Sequence, residues 1–347
     1  MSFSTLLFGN GLGRALDPAY FGIETGIRAV WDDEDALITR DSKQSIIQCL
    51  PAIAGARPAI PTGENDLEIL HRVVTACGLI SQVENGARIW LTDHGHRFPQ
   101  VIEHLIGRIA HYFHRCATTS AQFDAFIAGV VTFVRENNAH VATLNYDNLL
   151  YQPLIDADIL ANNGHLLDGF AGLFFDESHM ERFNRRKGWY LHLHGSPLFY
   201  DDGETIRKIT QPNLDDSFDP PNVLHRHIVL NHTRIKPEII SGSKLLSTYW
   251  EMFGKALDES RRIVIFGYGG LDTHLNKRIA EWVRWKKRAR EAFDLFVVER
   301  DDPAETRASR RQFWRERIGG GELHDRDFRL FLLPNILEFT WAELDDF

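Results

Sequence analysis

Residues 261–279 read RRIVIFGYGGLDTHLNKRI. The run Arg262 to Phe266 is almost wholly apolar, as expected of a strand buried on both faces of a parallel sheet. Gly267, Gly269 and Gly270 then break the run, and Asp272, His274 and Asn276 open a helix. Strand, glycine turn and helix make half of a βαβ unit, and β-like runs of the same kind recur at Ser4 to Phe8, His140 to Leu144, Tyr190 to Leu193, His227 to Leu230, Phe293 to Val298 and Phe328 to Leu333. Helical patterns separate them. Phe123, Phe126, Ile127, Val130 and Val134 share one helix face, and Leu245, Tyr249, Met252, Phe253 and Leu257 share another. The alternation predicts an α/β fold: a Rossmann-like, mostly parallel sheet flanked by helices, in a single domain over 1–347.

Two stretches depart from that rhythm. Residues 31–115 carry helical spacing (Val101, Leu105, Ile109 and Tyr112) and the turn-rich ARPAIPTGEND, so they predict a mainly helical insertion or cap. Residues 200–222 are acidic and rich in turn formers, which predicts an exposed, variable loop.

The 347 residues are 44% hydrophobic and 25% charged, an ordinary globular composition. A formal net charge of −9 argues against indiscriminate nucleic-acid binding, which needs a cationic surface. The basic run Val283 to Arg290 reads first as a solvated helix face, and with Arg310, Arg311, Arg315 and Arg317 it is the place to look for an acidic or nucleic-acid partner; nucleic acid is expected only through a partner. Cys49, Cys77 and Cys116 form no CxxC pair, which excludes a disulfide framework and a four-thiolate zinc site. No HExxH or cysteine pairing organises the 16 histidines, so no metal is expected. The opening MSFSTLLFGNG lacks a signal-peptide pattern and no apolar run is long enough to span a bilayer, so a cytoplasmic protein free of the membrane is expected.

Four clusters could carry chemistry. FGNGLGRAL places Gly9, Gly11 and Gly13 after the first strand, where a phosphate would meet a helix N-terminus; a turn chosen only for its backbone angles is the alternative. Arg14 stands where a dehydrogenase fingerprint wants glycine, and Pro18, Gly22 and Gly26 interrupt the helix that would lead to a ribose-binding Asp32 or Asp33. The run VATLNYD ends in Thr143, Asn145 and Asp147 at a strand's carboxyl end, where ligands bind in open α/β sheets, although Asn145 and Asp147 could equally cap the next helix. In YLHLHGS (190–196), strand alternation puts Tyr190, His192 and His194 on one face, and a packed core pair, a metal pair or a general base are the readings. The fourth cluster is the GYGGLDTHLN of the opening stretch. Glu299, ending FDLFVVE, is placed either to bind ribose hydroxyls or as a solvated strand-end charge.

In order, GNG, TLNYD, LHG and GYGGLDTHLN resemble the sirtuin-like superfamily, nearest its bacterial anti-phage defence and abortive-infection branch. Sirtuins proper carry GAG, QNxD and HG in that order; this chain has Asn10 for the alanine and Leu144 for the glutamine. The zinc ribbon and the proline-rich cofactor loop of deacetylases are absent, as in the defence-type relatives, which are similar to NAD hydrolases. The resemblance therefore implies an NAD hydrolase acting by NAD depletion, with NAD as substrate and no metal. It implies contacts to NAD from Gly9, Asn10, Gly11, Gly13, Thr143, Asp147, Gly195, Gly267, Gly269, Asp272, Asn276 and Glu299, with Asp147 on the nicotinamide carboxamide. Asn145 would orient the ribose or attacking water and His194 would act as base, with Gly195 letting the substrate approach and His192 supporting from deeper in the strand. It also implies control by a partner subunit or a homo-oligomer. The alternative is a catalytically silent nucleotide-binding sensor or interaction module, and a third reading is acyl or ADP-ribosyl transfer.

Overall fold

The computed structural model describes residues 3–52, 56–160, 164–182, 187–210, 213–218, 225–230, 236–319, 323–324 and 327–344. Twelve strands lie among them: β1 (Phe3–Phe8), β2 (Ala139–Thr143), β3 (Leu166–Leu167), β4 (Phe170–Ala171), β5 (Phe174–Phe175), β6 (Gly188–His192), β7 (Gly195–Asp201), β8 (Ile206–Lys208), β9 (His225–Ile228), β10 (Ser260–Phe266), β11 (Asp294–Arg300) and β12 (Phe328–Leu333). Seven form a sheet in the order β12-β11-β10-β1-β2-β6-β3, parallel at every pairing. β1 is buried along its whole length and β10 from Ile263 to Phe266, which is why Leu6 to Phe8 and Ile263 to Phe266 read as apolar runs. The Rossmann-like architecture expected from the alternation is the one observed.

The helices are α1 (Gly11–Leu16), α2 (Ile23–Asp32), α3 (Arg40–Cys49), α4 (Glu64–Gln82), α5 (Gly86–Trp90), α6 (Asp93–His114), α7 (Ala121–Glu136), α8 (Tyr151–Asp156), α9 (Lys236–Gly242), α10 (Lys244–Glu259), α11 (Thr273–Ala289) and α12 (Arg307–Ile318). The apolar faces read from spacing on α7 and α10 are buried, and one hydrophobic cluster joins them to the sheet and to Ile27, Leu67 and Leu105 of the helices before α7. Residues 31–115 therefore carry helix upon helix, and α2 is separated from the six-residue α1 by the turn that Asp17 caps through the amides of Ala19 and Tyr20.

A second sheet, antiparallel and ordered β4-β5-β8-β7-β9, has no counterpart in the sequence reading. The run near His227 belongs here as β9 and not to the parallel sheet. Within 200–222, residues 206–208 pair with 199–201 as a hairpin, while 211–212 and 219–222 lie outside the described residues. These strands have two to seven residues, and β7 contains Pro197, so neither length nor alternation signals them.

Candidate active site at the carboxyl edge of the parallel sheet

β1 neighbours β10 on one side and β2 on the other, so strand order reverses at β1 and a crevice opens beyond the carboxyl ends. Four separate motifs meet there through hydrogen bonds. The Asn145 amide nitrogen donates to the Gly9 carbonyl at 3.1 Å, the Gly11 amide donates to the Gly267 carbonyl at 2.7 Å, and His194 Nε2 lies 3.1 Å from Asp272 Oδ2.

The glycines are explained first by backbone approach. A Cβ on Gly11 would lie 2.5 Å from Gly267 Cα, and one on Gly267, whose φ is +58°, would lie 2.7 Å from the Gly11 backbone. The two turns thus interlock and neither tolerates a side chain. The Gly9 amide donates to Phe266 O, and Gly13 is required by the Phe21 ring, 2.6 Å from where its Cβ would be. The expectation that the amides of Gly9 and Gly11 are free for a pyrophosphate is corrected here, since both already serve carbonyls. What remains open is the side of the turns: Gly11 and Gly267 line a cavity of about 590 Å³ with Arg14, Arg300, Asp301 and Asn335. Arg14, the residue that broke the dehydrogenase pattern, lines it because α1 starts one residue after Asn10. Asn10 is exposed and spends its side-chain amide on Phe21 O at 3.1 Å. Asp33 lies elsewhere, paired with Arg108.

Asn145 is 4% exposed and His194 6%. Thr143 Oγ1 accepts from the Asn145 backbone amide, while Asn145 Oδ1 is a buried acceptor with no partner among the described residues. Asp147 accepts from the Leu149 amide, so it does cap the following turn, and burial pushes its carboxyl up to about 7. His194 is not part of β6, which ends at His192. It stands at the corner where the chain leaves the parallel sheet for the antiparallel one, and Gly195 makes that corner with φ +79°. A Cβ on Gly195 would lie 1.6 Å from His227 O, so this glycine serves strand pairing rather than substrate approach. The corner also separates the histidines. His192 packs edge-on against Tyr151, Tyr190 and Phe199 with both ring nitrogens unpartnered, whereas His194 faces Tyr146 and Asp272.

Around His194 the charges are arranged by α9 and α11. Asp272 caps α11 through the amides of His274 and Leu275, and the same carboxylate receives the buried Lys236 ammonium at 2.9 Å. Burial opposes ionisation of Asp272, but His194 and Lys236 outweigh it and hold the carboxyl well below its ordinary range. Burial, then Lys236, pushes His194 down to about 4, against the pull of Asp272 and a hydrogen bond to the Leu144 backbone. At neutral pH the imidazole is therefore uncharged. Lys236 is the member of this cluster that sequence reading missed, since a lysine after the segment 231–235 carries no motif.

The other expected contacts fall nearby or out of reach. Asn276 holds the second turn, donating to Gly270 O and accepting from Tyr268 OH, and Gly269 has open space where a side chain would be. Glu299 is buried beside α12, bound by Arg310 and by the Trp314 indole at 3.2 Å, so it is not a solvated strand-end charge, and these bonds compete with any ribose hydroxyl for its oxygens. Within the basic run, Lys286 pairs with Glu291 and Lys287 with Asp327. Among the described residues no group of three or more His, Cys, Asp or Glu side chains gathers to hold a metal ion, and no helix is long and apolar enough to cross a membrane.

No protein-family model and no curated protein matches the chain. Among solved structures, the chain is similar to one described as "Structural Basis for the Mechanism and Regulation of Sir2 Enzymes", at 11% identity over 97% of this chain and 89% of that one, with a TM-score of 0.41. The reading of the site rests on its own residues.

Proposed function

We propose that this chain binds NAD across the carboxyl edge of its parallel sheet and hydrolyses the nicotinamide–ribose bond. The observation that carries the reading is the convergence of four motifs, the first and last more than about 250 residues apart in sequence, into one hydrogen-bonded cluster at the strand-order reversal. The unpartnered Oδ1 of Asn145 fits a ribose hydroxyl or carboxamide donor, and Asp147, half protonated near neutrality, can donate to the carboxamide oxygen. The anionic middle of the dinucleotide finds Arg14 and Arg300 at the cavity beside the interlocked turns. In the reaction the C1′–N bond breaks and nicotinamide leaves as a neutral ring, so no general acid is needed. Water adds to C1′ and its proton passes to neutral His194, which Asp272 orients; a positioned base of this kind contributes about 10²–10⁴-fold. Continuous NAD loss is toxic, so a role in antiviral defence with activity held by a partner follows from the same reading.

A second reading, nucleotide binding without turnover, is favoured by one feature: both sides of the His194 ring are engaged, by Asp272 and by the Leu144 backbone. Nicotinamide release and NAD binding, measured on the same purified samples, separate the two. Release abolished by Asn145→Ala and by His194→Ala supports the hydrolase. Binding without release supports the silent module, and absence of binding overturns both.

A further inference from the structure

Four of the eight large apolar side chains exposed among the described residues lie within twelve positions: Leu79 (60% exposed), Val83 (59%), Ile89 (61%) and Trp90 (73%). Leu79 and Val83 stand one turn apart at the end of α4, and Ile89 and Trp90 close α5, which packs against α4. The face is rigid, because the turn between the helices is closed by the Gly86 amide donating to Val83 O and by Asn85 in the left-handed region at φ 57°. Scattered single exposures need no explanation, but a contiguous group led by an exposed tryptophan marks an interaction surface.

Two further observations identify what covers it. Gly78 lies inside α4, where glycine costs helix stability, yet a Cβ there would have nothing within 4 Å. Among the described residues nothing crowds this position, and a glycine there permits the close approach of a second helix. From Val73 to Thr92 the only charged side chains are Glu84 and Arg88, and neither forms an ion pair among the described residues. The chain as a whole carries −9, so most of its surface repels a second copy, but this face is neutral and carries one charge of each sign. A two-fold axis between them would set Glu84 of each copy against Arg88 of the other, the self-complementarity that an isologous interface needs.

We propose that the α4–α5 face is a two-fold homodimer interface, with the α4 helices crossing at Gly78 and Trp90 as the anchor. The interface stands apart from the NAD reading and does not depend on it.

Sedimentation velocity of the full chain over a concentration series tests it. The expected result is a monomer–dimer equilibrium in which Trp90→Glu and Gly78→Leu each raise Kd on the order of thirtyfold, the size expected for loss of an interface anchor. All four substituted positions are exposed, and far-UV circular dichroism verifies that each variant keeps its fold. Glu84→Arg and Arg88→Glu singly set like charges together and weaken association roughly tenfold or more, and the double exchange restores it. A chain that stays monomeric throughout, or a dimer indifferent to Trp90→Glu and Gly78→Leu, overturns the proposal and leaves the face to a different partner. A dimer that the charge exchange fails to restore overturns the two-fold arrangement.

Discussion

Asp147 and His192 are both buried at the carboxyl edge, and their proton equilibria pull stability in opposite directions. Burial raises Asp147 to about 7, so between about pH 4 and 7 the folded chain holds a proton that the unfolded chain has released, and stability falls as pH rises through that window. Asp147→Asn keeps an acceptor for the Leu149 amide and removes the titration. We expect it to raise stability at pH 8 by several kcal/mol, on the order of 1.4 per unit of displaced pKa, and to leave stability near pH 4 almost unchanged. His192 behaves conversely: burial pushes it down to about 3, so stability falls as pH drops below the ordinary histidine range near 6.5. His192→Phe places a third-party ring among Tyr151, Tyr190 and Phe199 with no nitrogen left unpartnered. Its stability relative to the parent should improve by about 2 kcal/mol more at pH 5 than at pH 8 in urea unfolding; equal differences at both pH values would show that the ring is not titrating.

At the scale of elements, α11 is held by a cap that also carries charge. Asp272→Asn preserves a good N-cap but leaves the Lys236 ammonium buried without its counter-charge, and we expect a loss of about 3–5 kcal/mol. Adding Lys236→Met should recover most of that loss, and a double-mutant cycle that shows simple additivity would refute the coupling. The corner between β6 and β7 depends on Gly195, where a methyl group would meet His227 O, so Gly195→Ala should cost at least about 3 kcal/mol. For α12, Glu299→Gln weakens the link to Arg310 and Trp314 and should lower Tm while leaving NAD affinity unchanged by calorimetry. A loss of affinity in a folded variant would return Glu299 to the ribose.

Over the whole molecule, a single hydrophobic cluster runs from the helices of residues 31–115 through the parallel sheet to the antiparallel one. The chain should therefore unfold as one unit, with tryptophan fluorescence and far-UV circular dichroism giving coincident denaturant midpoints. Two separated transitions would mark the 31–115 region or the antiparallel sheet as a domain of its own.

Much of this was legible in the amino-acid sequence, because strands buried on both faces must be apolar throughout and packed helices must be apolar at 3.6-residue spacing. That physics marks β1, β2, β6, β10, β11 and β12 and the inner faces of α7 and α10, and the glycine turns and TLNYD follow at the strand ends. It does not reach the antiparallel sheet, whose short strands have too few residues to show a period. Nor does local sequence say what a polar side chain will meet. Glu299 near the end of β11 and Asp272 at the start of α11 are both buried acids, yet one is locked to Arg310 and the other assembles His194 and Lys236. Those partners lie 11, 78 and 36 residues away in the chain, so only the tertiary structure, by closing those distances in a buried setting, decided which residue supports the fold and which stands in the site.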